Sequence, residues 1–266
     1  MWFKQIAPII VEYGLGQTRY GVEHGGYFIH KMLRNCNYPL HLPYIIRDLD
    51  FNDTMKSIKF ASMDALSNNR MPLILGGDHS ISYGSLKGVI EHFKNNIHVI
   101  WIDSHTDINT WDSSVTKSMH GMPVSSLMGL NTRDWGLDDQ KCILRPEQIT
   151  YYGVNSIDPY ELTLLKELNI NYIHRDEIDY IDIKPMIPRH VPIHISFDVD
   201  VLDKSIVPCT GTPVDYGLFP EDVSQIIQQY SPRIVSMDIV EYNPILGTEK
   251  ENVKTLESII NSIGKI

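Results

Sequence analysis

Short apolar segments alternate with segments of helical periodicity along this chain, and the alternation limits the folds open to it. Strand-length apolar runs lie at residues 6–11, 42–46, 71–75, 97–103, 149–154, 170–173, 192–197 and 233–239. Helical spacing or capping signals lie at residues 26–35, 52–68, 80–93, 158–168, 220–229 and 251–263, with a further helix after residue 121. Strands separated by helices imply a mainly parallel sheet that is covered on both faces. The pattern predicts an α/β fold with three layers, α/β/α.

Some local signals qualify this pattern. Pro8 interrupts the first run, and because proline has no backbone N–H, it predicts an edge strand or an irregular start. The stretch Asn52-Asp-Thr54 contains helix-capping residue types and predicts the start of the second helix there. Pro159 favours the first turn of the helix after Asp158. Residues 129–148 show little periodicity and are expected to form an exposed excursion.

Composition bounds the organisation and the partners of the chain. No linker rich in Pro, Gly or Ser divides the 266 residues, so a single domain over residues 1–266 is expected. The formal net charge is −10 and the Lys and Arg residues are scattered, which excludes nucleic acid and anionic membranes as expected partners. An odd number of cysteines without metal-like spacing suits a reducing compartment. With no signal-peptide pattern at the N-terminus, a cytoplasmic location is expected.

Polar side chains follow three of the apolar runs at the point where each strand is predicted to end. Within one such stretch they are spaced two residues apart, which directs them to the same side of an extended backbone. Several carboxylates brought together in a protein interior repel one another, and a cation relieves this repulsion. Six ligands exceed a tetrahedral zinc site but suit two divalent ions. The candidate ligands are His79, Asp103, His105, Asp107, Asp198 and Asp200.

Five ordered motifs spread over nearly the whole chain. They are Gly76-Gly-Asp-His-Ser80, Asp103-Ser-His-Thr-Asp-Ile-Asn-Thr110, His120-Gly121, Ser196-Phe-Asp-Val-Asp-Val-Leu-Asp203 with Pro208-Cys-Thr-Gly-Thr-Pro213, and Asp238-Ile-Val-Glu-Tyr-Asn-Pro244. In this order they resemble the motif set of the ureohydrolases, and within that superfamily the sequence is most similar to arginase. The resemblance implies an arginase-like fold and a hydrolase that cleaves the guanidino group of L-arginine to L-ornithine and urea.

The resemblance also implies two Mn²⁺ ions per subunit with a hydroxide between them. One ion would be held by His79, Asp103, Asp107 and Asp198, and the other by His105, Asp103, Asp198 and Asp200. Asp103 and Asp198 are then the ligands shared by both ions. Ligands of this kind, rich in oxygen with two imidazoles, suit manganese.

Three residues take catalytic roles by the same resemblance. Asp107 would hydrogen-bond the nucleophile and pass on its proton. His120, 13 residues after Asp107, matches the family's proton-shuttling histidine, and an imidazole suits that task near neutral pH. Glu241 would pair with the substrate guanidinium through charge-assisted hydrogen bonds.

Substrate-binding positions are implied residue by residue. Asn109, Thr116 and Ser118 fall where the family contacts the α-carboxylate, whereas Asp158 and Glu161 match the acids near the α-ammonium. The hydroxyl of Thr212 is expected near the guanidinium. The loop departs from the usual arginase pattern at Trp111, Ser114, Lys117 and Ser118.

Alternative functions follow from the same motifs. A sister ureohydrolase would act on agmatine, guanidinobutyrate or formiminoglutamate, which Asn109 and Asp158 disfavour. A binding or regulatory protein without catalysis is disfavoured because all six ligands are present together with His120 and Glu241. A two-metal phosphohydrolase lacks support because no basic phosphate cradle is evident. The family resemblance further suggests a homo-oligomer, either a trimer or a hexamer.

Overall fold

Eight parallel strands form one sheet in the computed structural model, which describes residues 5–47, 49–132, 135–137 and 144–264. The order across the sheet is β2-β1-β3-β8-β7-β4-β5-β6. The α/β prediction is therefore confirmed. The strands are β1 (Ile6–Val11), β2 (Tyr44–Ile46), β3 (Met71–Leu75), β4 (His98–Ile102), β5 (Ile149–Val154), β6 (Asn171–His174), β7 (Ile193–Asp198) and β8 (Ile234–Val240).

Helices pack on both faces of the sheet and create two hydrophobic cores. The core on one face joins Ile58 and Leu86 to Trp101, and the core on the other face joins Ile29, Ile227 and other helical residues to the opposite side of the strands. Successive strand residues point to opposite sides of the sheet. Because the residues on both sides are buried and mostly apolar, each face carries a core. The α-helices are α1 (Gly25–Asn35), α2 (Phe51–Ser67), α3 (Ser82–His92), α4 (Pro123–Leu127), α5 (Pro159–Glu167), α6 (Pro220–Tyr230) and α7 (Glu249–Ile263).

Pro8 lies in a strand that is not at the edge, so the edge expectation is wrong. The N–H of Ile6 donates to the carbonyl of Pro39 at 3.0 Å. Because alternate residues direct their backbone groups to the same neighbour, Pro8 faces the stretch between Pro39 and Tyr44. β2 begins only at Tyr44, so the missing N–H of Pro8 falls before the ladder between β1 and β2 starts.

Two further expectations are corrected. The second helix begins at Phe51 and is capped by Asp50, whose side chain accepts a hydrogen bond from Asp53 N at 2.9 Å. Asp50 has the extended backbone that an N-cap needs, so the cap lies before the predicted stretch. The segment 129–148 is not simply an exposed excursion. Residues 133, 134 and 138–143 lie outside the described chain, but Trp135 is buried, with its ring centroid 5.1 Å from that of Tyr83.

Glycines allow α2 and α3 to approach each other closely. A Cβ atom on Gly84 would lie 2.8 Å from the carbonyl oxygen of Met55, and one on Gly88 would lie 2.6 Å from that of Lys59. Real side chains do not tolerate such contacts with backbone, so a larger residue at either position would force the helices apart. In the described residues, no helix is long and apolar enough to span a membrane.

Candidate metal centre

The four central strands of the sheet carry the candidate site at their carboxyl ends. These strands, β3, β8, β7 and β4, are adjacent in the sheet although they are distant in sequence. His79 follows β3 through a turn at Gly76 and Gly77, which have φ values of 79° and 84°. A Cβ atom on Gly76 would lie 2.1 Å from Gly26 N, so the turn requires glycine. Ligands at strand ends therefore meet at one edge, as in other open parallel sheets.

The candidate ligands form two adjacent groups. In the first group, Nδ1 of His79 lies 3.0 Å from Asp103 Oδ2, 2.9 Å from Asp107 Oδ2 and 3.1 Å from Asp198 Oδ2. In the second group, Nδ1 of His105 lies 3.4 Å from Asp103 Oδ1 and 3.2 Å from an oxygen of Asp200. Asp103 thus offers one carboxylate oxygen to each group.

Asp198 is oriented differently from Asp103. Its Oδ2 faces His79 in the first group, whereas its Oδ1 accepts a hydrogen bond from Asp200 N at 2.9 Å. Asp198 is the last residue of β7, and Asp200 lies in the turn that follows. The structure therefore brings all six candidate ligands to one place and seats Asp103 between the two groups.

Burial and mutual repulsion destabilise the charged forms of the carboxylates at this site, and nearby positive charge would stabilise them. Burial and the neighbouring Asp200 and Asp103 hold the pKa of Asp198 well above its ordinary value. Burial and Asp103 raise the pKa of Asp107 to about 6. Although burial alone would lower the pKa of His79, the surrounding carboxylates raise it well above its ordinary value. A cation between these groups would supply such positive charge.

The donor atoms fit a pair of divalent cations. Oδ1 of Asp200 is buried and has no hydrogen-bond partner among the described residues, and Nδ1 of His79 faces three carboxylate oxygens at once. The atoms of His79, Asp103 and Asp107 lie within 4.8 Å of one another, and so do those of Asp103, His105 and Asp200. Buried nitrogen and oxygen atoms that converge in this way are the expected surroundings of a metal ion.

Two residues that the sequence analysis did not single out orient His79. Its Nε2 lies 2.9 Å from Oγ of Ser196, and its ring stacks on Trp101 with centroids 4.2 Å apart. Trp101 also donates from Nε1 to Asp103 Oδ2 at 3.0 Å. Such partners fix the ring and leave Nδ1 directed at the site. Ser196 and Trp101 each precede an aspartate by two residues on the same strand face, and this spacing is a signal that predicts them.

Glu241 and His120 lie beside the first group. Glu241 follows β8 and is buried, and its Oε1 accepts a hydrogen bond from His79 N at 2.9 Å. Nδ1 of His120 lies 3.2 Å from the same oxygen. Burial opposes charge on both groups, but their pairing raises the pKa of His120 to about 9 and lowers the pKa of Glu241. The pair is therefore an imidazolium and a carboxylate at neutral pH.

The predicted substrate residues make hydrogen bonds with one another. Asn109 donates from Nδ2 to Asp158 Oδ2 at 2.7 Å, and Asp158 caps α5 by accepting from Glu161 N at 2.9 Å. Glu161 is buried, and burial raises its pKa to about 7. In the loop that follows β4, Oγ1 of Thr116 accepts from Ser118 N at 3.3 Å.

Thr212 and Lys117 each make a contact within the loops around the site. The hydroxyl of Thr212 donates to Asp200, so its observed partner is a carboxylate of the second group. Lys117 donates to the carbonyl of Trp111 and lies over the indole, with Nζ 5.8 Å from the ring centroid. Two of the four loop residues that depart from the usual arginase pattern, Trp111 and Lys117, therefore contact each other.

Comparison with known proteins decides the family. Residues 8–263 match the family model described as "Arginase family". The chain belongs to the arginase family. The predicted membership of the ureohydrolases and the predicted hydrolase acting on the guanidino C–N bond of arginine are thereby confirmed.

Relatives of this arginase-family chain cover most of its length. It is 31% identical to "Arginase, non-hepatic 3" of Xenopus laevis, over 96% of this chain and 80% of that protein. It is 34% identical to an arginase of Staphylococcus aureus, over 81% of this chain and 72% of the relative. The crystal structure of arginase from Bacillus subtilis superposes with a TM-score of 0.86 at 28% identity and covers 99% of both chains. A formimidoylglutamase of Bacillus subtilis, 23% identical with a TM-score of 0.78, shares the fold.

Proposed function

We propose that this arginase-family hydrolase cleaves L-arginine to L-ornithine and urea with two Mn²⁺ ions per subunit. The observation that carries the proposal is the pair of His and Asp groups that share Asp103. A buried carboxylate with one oxygen in each group suits two ions held side by side. The arginase relatives support arginine as the substrate.

The ligand assignment follows the two groups. His79, Asp107 and Asp198 would hold one ion, His105 and Asp200 would hold the other, and Asp103 would be shared by both. Asp198 would be the second shared ligand. Carboxylates outnumber imidazoles in this set, and that balance favours manganese over softer metals.

When bound, the paired cations lower the pKa of a shared water and so make hydroxide available at neutral pH. The side chains supply the remaining functions. Glu241 is a buried carboxylate, and it pairs with the guanidinium, which is permanently charged. Asp107 accepts the proton of the nucleophile and passes it to the leaving nitrogen as the C–N bond breaks. His120 is positively charged at neutral pH and donates a second proton to that amine, so that ornithine departs as an ammonium ion.

The α-amino-acid end of the substrate binds at Asn109 and Asp158, which are hydrogen-bonded to each other. We assign the α-carboxylate to Asn109, Thr116 and Ser118, and the α-ammonium to Asp158, with Glu161 buried behind it. Asn109 and Asp158 already hold each other, so the amide group and the carboxylate are in place before substrate arrives. Preorganised contacts of this kind reduce the cost of binding. We place the hydroxyl of Thr212 near the guanidinium, where its hydrogen bond to Asp200 holds it.

Comparison of arginine with agmatine tests this assignment. The Mn²⁺-loaded protein is assayed for urea release from both compounds, with formiminoglutamate and guanidinobutyrate as further controls. Because agmatine has no carboxylate, we expect kcat/KM for arginine to exceed that for agmatine by at least about ten-fold. Asn109→Ala should lower kcat/KM for arginine by about ten-fold and leave agmatine nearly unchanged. Equal or faster hydrolysis of agmatine by the wild-type protein would contradict the proposal.

The homo-oligomer, trimeric or hexameric, and the cytoplasmic location stay predictions from the sequence. Neither enters the chemistry above, because every proposed ligand and substrate contact comes from this one chain.

A further inference from the structure

Gln17 contacts the proposed guanidinium-binding carboxylate, although no motif pointed to it. Gln17 lies in the first loop, residues 12–21, which follows β1. Its Nε2 donates to Glu241 Oε2 at 2.7 Å. The other oxygen of Glu241 accepts from His79 N at 2.9 Å and lies 3.2 Å from His120 Nδ1. Gln17 is therefore the partner of the oxygen that His79 and His120 leave open.

The first loop is held in place on both sides of Gln17. Gly16 N donates to Asp78 Oδ2 at 2.8 Å, and His120 N donates to the carbonyl of Gly16 at 3.2 Å. A Cβ atom on Gly16 would lie 2.3 Å from Asp78 Oδ1, so the backbone touches this buried carboxylate directly. On the other side, Arg19 donates to the carbonyl of Gly211. The contacts of Gly16 and Arg19 thus fix the backbone on both sides of Gln17, independently of its own contact with Glu241.

A count of acceptor positions shows what Gln17 does to Glu241. A carboxylate offers about four lone-pair positions, two on each oxygen. His79 and His120 occupy the two on Oε1, and Gln17 occupies one on Oε2. Among the described residues, no further donor contacts Oε2, so its second position can accept a substrate N–H. The amide of Gln17 therefore restricts both the rotation of the carboxylate and the direction from which a guanidinium can approach.

We propose that Gln17 is a positioning residue that orients Glu241 for the substrate guanidinium. The inference rests on the proposed function, in which Glu241 binds that group. Gln17 acts through Glu241 and carries no charge, so its contribution is the direction of the carboxylate. Because this contact exists before substrate binds, its loss should weaken substrate binding more than it slows the chemical step.

Two substitutions separate the contact from the shape of the side chain. Gln17→Met keeps nearly the same length but removes the donor, and Gln17→Glu replaces the donor by an anion that repels Glu241. Gln228→Met is the matched control, because Gln228 is an exposed glutamine whose amide donates to Ser224 at 2.9 Å, on the surface of α6. All proteins are loaded with Mn²⁺, and kcat, KM for arginine, metal content and melting temperature are measured.

We expect Gln17→Met to raise KM about ten-fold and Gln17→Glu to raise it further, while kcat stays within about three-fold and metal content is unchanged. Gln228→Met should match the wild type. An unchanged KM in both Gln17 variants overturns the inference, and so does a fall in kcat that accompanies loss of metal or of melting temperature. A wild-type protein that releases no urea contradicts the proposed function, whereas an active wild type with unaltered variants contradicts the role of Gln17 alone.

Discussion

Two site residues adopt a backbone conformation that L-residues rarely occupy. Asp107 has a φ of 49° and Glu241 a φ of 66°, both in the left-handed region. Each follows an apolar strand, and the reversal of the backbone redirects its side chain towards the centre. Such conformations cost about 1–3 kcal/mol each and persist where the surroundings hold them. The contacts around Asp107 and Glu241 therefore hold both residues in a strained backbone conformation.

A buried histidine away from the site makes stability depend on pH. His98 begins β4 and is 1% exposed, and its Nε2 lies 3.0 Å from Oγ1 of Thr150. Burial, with a smaller effect of Arg233, lowers its pKa from 6.5 to about 4. The unfolded chain therefore binds the proton more readily, so the stabilisation is present above pH 6.5 and is lost as pH falls towards 4.

Urea denaturation of the wild type and of His98→Gln checks this effect at pH 7 and pH 4.5. We expect the wild type to lose about 2 kcal/mol more of its unfolding free energy than the variant does on acidification. The difference isolates His98, because every other titrating group is common to both proteins. Equal losses in the two proteins would show that His98 is not buried in its neutral form.

At the level of elements, the contact between α2 and α3 is set by glycine. We expect Gly84→Ala to destabilise the protein by about 1–3 kcal/mol, since the new Cβ meets the backbone of Met55, and the better helix propensity of alanine offsets only part of this. Lys56→Ala on the exposed side of α2 is the control, with an expected change within about 0.5 kcal/mol. Chemical denaturation measures both, and a stabilised Gly84→Ala would contradict the close approach.

The sequence predicts the arrangement of the candidate ligands where the signal is local. The spacing of Asp103, His105 and Asp107 is visible within five residues, and the rule for parallel sheets predicts where strand ends meet. Pro8 was misjudged because its consequence depends on where the neighbouring strand begins. Gln17 was missed because its partner, Glu241, lies 224 residues further along the chain, and no periodicity links a loop to a distant strand end.

For the whole molecule, the order of the strands determines which side chains meet. β3, β8, β7 and β4 are neighbours in the sheet, so segments near residues 79, 103, 198 and 241 converge although the chain visits them in another order. Cations bound there would join strand ends that otherwise carry mutually repelling carboxylates. A metal ion that binds the folded chain and not the unfolded chain would stabilise the protein by about 4 kcal/mol per site when free metal exceeds Kd a thousand-fold.

Metal stoichiometry tests the central claim most directly. The purified protein is stripped with chelator, reloaded with Mn²⁺, dialysed and analysed for bound metal by elemental analysis. Two ions held by two groups that share Asp103 predict about two equivalents per chain for the wild type, about one for Asp200→Ala and close to none for Asp103→Ala. A wild-type protein that retains one equivalent or none, or an Asp103→Ala variant that still binds two, would contradict the paired site.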